Sequence, residues 1–142
     1  SNLAILLQAQ QRPAEAEPLC RHALLGLERA LGAEHPDALT ARSNLAAVLH
    51  AQGAIEESEA EYRRVWTGRR ARLGPRHANT IVSLRALARV VRAQEKWDEA
   101  VGLFRELWHA RERRHGPEHA ETLAAAQDFA EALEANGGLA EA

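Results

Sequence analysis

Three arginines, Arg85, Arg89 and Arg92, stand at i, i+4 and i+7, so on a helix they project from one face. A row of planar guanidinium groups is suited to paired hydrogen bonds with carboxylates. Further along, Asp128, Glu131 and Glu134 form an acidic row of similar spacing. Two outcomes are open. Either the arginines grip the carboxylates of a bound peptide, or the two rows pair with each other as solvated ion pairs worth about 0 to 1 kcal/mol each.

Other residues with chemical potential read as structural. His35, His77 and His119 recur once per repeat. With helices packed roughly 8–10 Å apart, histidines one helix pair apart are too distant from one another to share a zinc ion, whose ligands lie within about 2.3 Å of it. They are expected to bond the loops that hold them. His109 with His115, and His22 with His50, fall in no recognised ligand motif, so no metal is expected. Arg69, Arg70 and Arg72, like Arg111, Arg113 and Arg114, sit in the last turns of helices, where cations meet the negative end of the macrodipole. Nucleic-acid binding is not expected. There is no phosphate-cradling glycine loop and no nucleophile with a base nearby, so the reading is of a non-enzyme without cofactors.

The elements that must position these residues follow from composition and period. The 142 residues are 46% hydrophobic but only 4% aromatic, which points to a helical interior of Leu, Ala and Val. Eighteen basic residues against 20 acidic ones give no electrostatic footprint for nucleic acid or an anionic membrane. The single cysteine, Cys20, can form no internal disulfide, and no apolar run approaches the roughly 20 residues that span a bilayer. A cytoplasmic, non-membrane protein is expected. Lys96 is the only lysine in an Arg- and Ala-rich chain, a usage that fits a GC-rich bacterial genome.

The stretch Leu31-Gly32-Ala33-Glu34-His35-Pro36 returns as Leu73-Gly74-Pro75-Arg76-His77-Ala78 and as His115-Gly116-Pro117-Glu118-His119-Ala120, with the glycines 42 residues apart. A fixed period of this size is the signature of a solenoid, whose units bury their apolar faces by stacking. Each period holds two helices. The first of each pair is predicted at 37–52, 79–94 and 121–136, and the second at 13–31, 55–72 and 97–115, with Cys20 in the core slot of Tyr62 and Phe104. Gly32, Gly74 and Gly116 should end the second helices, and Pro36 should sit in a first turn. Gly53 and Gly137 should reverse the chain within a pair; Gln11 and Glu95 take that place elsewhere, in turns expected to be slightly strained or differently shaped. Ser1-Asn2-Leu3-Ala4 repeats as Ser43-Asn44-Leu45-Ala46, so the chain is expected to open within a helix, and Gly138-Leu139-Ala140-Glu141-Ala142 to begin another. The expected organisation is one array over 1–142, cut at both ends: a partial repeat 1–31, repeats 32–73 and 74–115, and a partial repeat 116–142.

Leu45-Ala46, Leu49, Gly53, Ile55, Ser58 and Tyr62, with Leu87-Ala88, Val91, Trp97, Ala100 and Phe104, resemble the tetratricopeptide repeat. The 42-residue period and its Leu-Gly-x-x-His-Pro linker are similar to the kinesin light chain variety. The resemblance implies an all-α, right-handed superhelical solenoid of antiparallel helix pairs, with the first helix of each pair forming a concave wall. Carried over, that wall holds Ser43, Asn44, Ala47 and His50, then Arg85, Ala86, Arg89 and Arg92, then Gln127, Asp128, Glu131 and Glu134. Some members clamp a C-terminal carboxylate with groove asparagines and lysines. Asn44 and Asn2 match one such place, but Ala51, Ala86 and Ala93 depart from the pattern. An acidic peptide held by the arginines is the better match, although the acidic third repeat departs from it.

The expected function is therefore a non-catalytic protein- or peptide-binding scaffold with Asn44, His50, Arg85, Arg89, Arg92, Gln127, Asp128 and Glu131 at the ligand. The alternative is a structural or regulatory arm of a larger protein, such as a bacterial signalling ATPase, acting by self-association through truncated ends or by packing on its parent.

Overall fold

Helices in this chain end on glycine and begin on histidine. After each second helix a glycine takes positive φ (Gly32 +99°, Gly74 +93°, Gly116 +92°), a backbone that side chains with a Cβ rarely adopt. Its N–H still closes the helix, as in Gly74 N–H to the Arg70 carbonyl at 3.0 Å. Three residues on, His35, His77 and His119 each accept a backbone N–H at Nδ1, from Asp37, Asn79 and Glu121 respectively, all at 3.1 Å. The loop histidines are thus helix N-caps, filling the place usual for Ser, Thr, Asp or Asn. Pro36 occupies the first turn after the His35 cap, where its missing N–H has no intrahelical partner to lose.

The structure is a computed structural model that describes residues 13–141, with side chains over 14–137. Among the described residues are six helices and no strand: α1 (Pro13–Leu31), α2 (Pro36–Ala51), α3 (Ile55–Leu73), α4 (Ala78–Ala93), α5 (Trp97–His115) and α6 (Ala120–Glu141). The expected turn at Gln11 and the partial helix before it lie outside the described residues. Contacts divide the chain into two units, Ser1–Arg69 and Arg70–Ala142.

In the first unit α1 packs on α2 through Ala16, Cys20, Leu24, Ala41, Leu45, Val48 and Leu49, with Leu19, Leu27 and Ala54 at the edge. Cys20 is 2% exposed, a core residue as its repeat slot predicts, and burial pushes its thiol pKa up, away from the reactive thiolate. The Ser58 hydroxyl donates to the Ala46 carbonyl at 2.7 Å, tying α3 back to α2. Gly68 is buried on α3, and a Cβ there would meet Glu34 and Leu39 within 3.1 Å, which explains a small residue in mid-helix. Arg42, 4% exposed, spans Glu28 of α1 at 2.7 Å and Glu61 of α3, so one guanidinium holds three helices.

In the second unit α4 packs on α5, and α5 on α6. Ile81, Leu84, Leu87, Ala88, Val90 and Val91 of α4 are buried, as are Leu103, Phe104 and Leu107 of α5 and Ala125 and Ala132 of α6.

The two turns within helix pairs follow one geometry with different residues. Gly53 takes φ +84° and Glu95 takes φ +59°, and the next N–H in each reaches back five residues, Ala54 to Leu49 at 2.9 Å and Lys96 to Val91 at 3.4 Å. Glu95 thus bears the expected strain, in a region that costs a non-glycine residue roughly 1–2 kcal/mol. The turn expected at Gly137 is not there. Helix α6 runs through it to Glu141. Glycine permits positive φ without requiring it, and Ala and Glu are strong helix formers. The Ala- and Glu-rich run therefore keeps its helical hydrogen bonds.

If the cap acts only as an acceptor, His77→Ala lowers the unfolding free energy by about 1 kcal/mol while His77→Asn changes it by less than about 0.5 kcal/mol. Urea denaturation measures both, and equal losses would show that the imidazole has another role.

Candidate functional site

Helix α4 turns its apolar side inward through Ile81, Leu84, Leu87, Ala88 and Val91, which leaves the arginine row on the opposite side. Arg85 and Arg89 are exposed, and among the described residues neither makes an ion pair or a side-chain hydrogen bond. Arg92 differs. Its guanidinium lies 3.7 Å from the Asp128 carboxylate of α6 and 5.2 Å from the centre of the Phe104 ring. The two outcomes open in the sequence are therefore divided along one row: Arg92 is engaged internally, and Arg85 and Arg89 are not.

On α6, Gln127 donates to Glu131 at 3.4 Å, and Glu131 and Glu134 are exposed. Arg105 of α5 stands over Phe129, 5.4 Å from its centre, and Trp108 contacts the same ring at 5.7 Å. In the first unit, Asn44 is half-buried and His50 exposed on α2.

The arginine clusters at the helix ends are largely consumed by the fold. Arg69 donates to Thr40 at 3.3 Å, and burial pulls its pKa down. Arg70 lies 3.7 Å from Glu106, and Arg114 donates to the Arg76 carbonyl at 3.1 Å. Arg111 is 7% exposed and donates to the Glu121 carbonyl at 3.2 Å. Burial, aided by the like charge of Arg85, lowers its pKa against the opposing pull of Glu121 and Asp128.

At the third corner the structure assembles a group that sequence reasoning missed. His115, the last residue of α5, has Nε2 2.9 Å from Glu121, and its ring stacks on that of His119 with centres 4.3 Å apart. Ligand atoms of the three residues all lie within 4.8 Å of one another. The signal was present in the repeat: residue 115 is His where 31 and 73 are Leu, and 121 is Glu where 37 and 79 are Asp and Asn.

A family model described as "Tetratricopeptide repeat" matches residues 1–71 and again 44–107. The chain belongs to the tetratricopeptide repeat family. A crystal structure of kinesin light chain nearly identical TPR-like repeats from Podosopora anserina matches with TM-score 0.86 and 27% identity, over 99% of this chain and 66% of that one. A variant of the same protein gives the same values. BtubC (BKLC) from P. vanneervenii matches in fold, with TM-score 0.79 and 20% identity over 94% of this chain and 53% of that one. This chain thus spans less than two thirds of either. No curated protein matches. The repeats are of the kinesin light chain-like variety, and the tetratricopeptide fold is typical of protein-interaction scaffolds. No helix among the described residues is long and apolar enough to cross a membrane.

The split of the arginine row has a measurable consequence. Arg92→Ala should lower the unfolding free energy by about 1 kcal/mol, through loss of the Asp128 pair and the Phe104 contact. Arg85→Ala and Arg89→Ala should each stay within about 0.5 kcal/mol of the parent. Denaturant titration of the three single variants reads this, and equal losses would show that all three arginines serve the fold.

Proposed function

We propose that the chain is a non-catalytic binding module that holds an acidic segment of another protein on the Arg85 and Arg89 face of α4. One observation carries this reading: two exposed guanidinium groups one helical turn apart have no carboxylate partner among the described residues, while Arg92 beside them has one. Each guanidinium can take a carboxylate through two parallel N–H bonds, and such charge-assisted bonds are worth about 1.5–3 kcal/mol each where solvent is displaced. Asp128 of α6, 3.7 Å from Arg92, already sets an acid at the end of the arginine row and so disfavours a ligand acidic along its whole length. The preferred ligand therefore has its carboxylates clustered over the arginine pair. Fluorescence polarisation with Glu- and Asp-rich peptides, beside charge-neutral versions, tests this. The double variant Arg85→Ala with Arg89→Ala should bind acidic peptides at least about tenfold more weakly, which is about 1.4 kcal/mol, with unchanged unfolding. Equal affinities for parent and variant would remove the arginines from the site.

A second reading, self-association, is favoured by α6. Leu123 and Leu133 are 56% and 43% exposed, whereas Ile81 and Val91, one period earlier, are 3% and 0% exposed. Apolar side chains placed like core residues but left in water favour a covering partner. Sedimentation at micromolar concentration should then show a dimer that Leu133→Glu dissolves, and a monomeric parent would dismiss this reading.

A further inference from the structure

We propose that His115, His119 and Glu121 form a binding site for a divalent transition metal of the zinc class at the corner between α5 and α6. Two imidazoles and one carboxylate are a donor set that suits zinc, and three protein ligands leave a fourth position for water. The trio is already gathered. His115 Nε2 is 2.9 Å from Glu121 Oε2, the two imidazole rings stack at 4.3 Å, and all three ligand atoms fall within 4.8 Å of one another. In a tetrahedral zinc site with bonds of about 2.0–2.1 Å, neighbouring donors are roughly 3.3 Å apart. The closure needed is of the order of 1 Å, within reach of side-chain rotation at His119 and Glu121, both exposed.

Comparison of the three corners shows that the fold does not require this group. The cap is made by His35 and His77 as well as by His119, with the same N–H bond. The companions are not shared. Where the third corner has His115 and Glu121, the first has Leu31 and Asp37 and the second Leu73 and Asn79. Leu31 and Leu73 are 46% and 37% exposed, so a histidine in this place replaces no core contact.

Metal and cap compete for one ring. His119 Nδ1 accepts the Glu121 N–H, so the neutral ring carries its proton on Nε2. Coordination through Nε2 moves that proton to Nδ1 and ends the capping bond; coordination through Nδ1 displaces the bond directly. At His115 the Nε2–H that faces Glu121 is displaced, its proton passing to Nδ1 or to solvent, and the ion takes the freed Nε2 lone pair and the Glu121 oxygen together. Coordination thus exchanges the His119 capping bond and the His115–Glu121 contact for bonds to the ion. The other two corners keep their caps.

The test uses the tag-free chain, titrated with Zn²⁺ in competition with a chromophoric chelator. Co²⁺ absorption in the visible reports tetrahedral coordination. His115→Ala leaves the cap in place, and His119→Asn removes the imidazole while keeping a capping acceptor; circular dichroism confirms that both remain helical. The expected result is one equivalent of Zn²⁺ bound by the parent and by His77→Asn, and at least tenfold weaker binding by each of the other two variants. A parent without a stoichiometric site overturns the proposal. So does either trio variant that binds as tightly as the parent, since the ion would then be held elsewhere.

Discussion

The corner between one helix pair and the next is the constraint on which the repeat depends. A helix begins with four N–H groups that have no intrahelical partner, and it can follow another closely only if the connecting backbone supplies both a reversal and an acceptor. Here the reversal is a glycine at positive φ and the acceptor is an imidazole nitrogen. These two residues fix the corner through backbone geometry and one side-chain bond. The intervening positions are released to vary, and they do: Ala33 and Glu34 become Pro75 and Arg76, then Pro117 and Glu118. Chemistry can be added at such a corner without disturbing the stacking it serves, which is why the histidine pair occurs there and not on a packed face.

Charge inside the two units is handled differently. Arg42 has a carboxylate on either side, so its buried charge is compensated twice, at the expense of desolvating Glu28 and Glu61. Replacement by an apolar residue would leave the two acids facing one another, which makes the arginine a determinant of how α1, α2 and α3 register. Arg111 is less well provided. It meets a carbonyl rather than a carboxylate, and its buried Nε has no hydrogen-bond partner among the described residues. An arginine cannot shed its proton to relieve burial, so the fold bears that cost. Glu121 and Asp128 offset part of it through space. With Asp128 also close to Arg92, the acidic side of α6 is partly spent on neutralising cations of its own unit. Arg85, in contrast, only adds to the repulsion at Arg111.

Much of this was legible in the sequence because the determinants are local and periodic. The bounds of α1 and α5 are those predicted, and those of α2, α3 and α4 fall within one residue, since Gly and His mark the ends and apolar spacing fixes the face. Cys20 was placed in the core by its register alone. Gly137 failed as a turn because glycine permits positive φ but does not compel it; Glu95, a poorer residue for that conformation, adopts it where α5 packs back on α4. Tertiary packing sets the Glu95 turn.

The candidate residues divide along the same line. Spacing shows that Arg85, Arg89 and Arg92 share a face, but not which of them lies beside an acid on another helix. That depends on where Asp128 and Phe104 come to rest. The histidine trio was hidden for a related reason. Sequence spacing sets His115 beside His109 on one helix and His119 one repeat from His77, whereas the partners of His115 lie across a tight corner, four and six residues apart in the chain. In helical spacing four residues is a familiar interval, yet here it bridges the end of one helix and the start of the next. The stacking of the two rings is produced by the glycine reversal between them, at Gly116 with φ +92°. A corner that exists to place α6 against α5 thus brings together two imidazoles and a carboxylate as a by-product of its backbone, and only the third copy of the repeat has the side chains to use it.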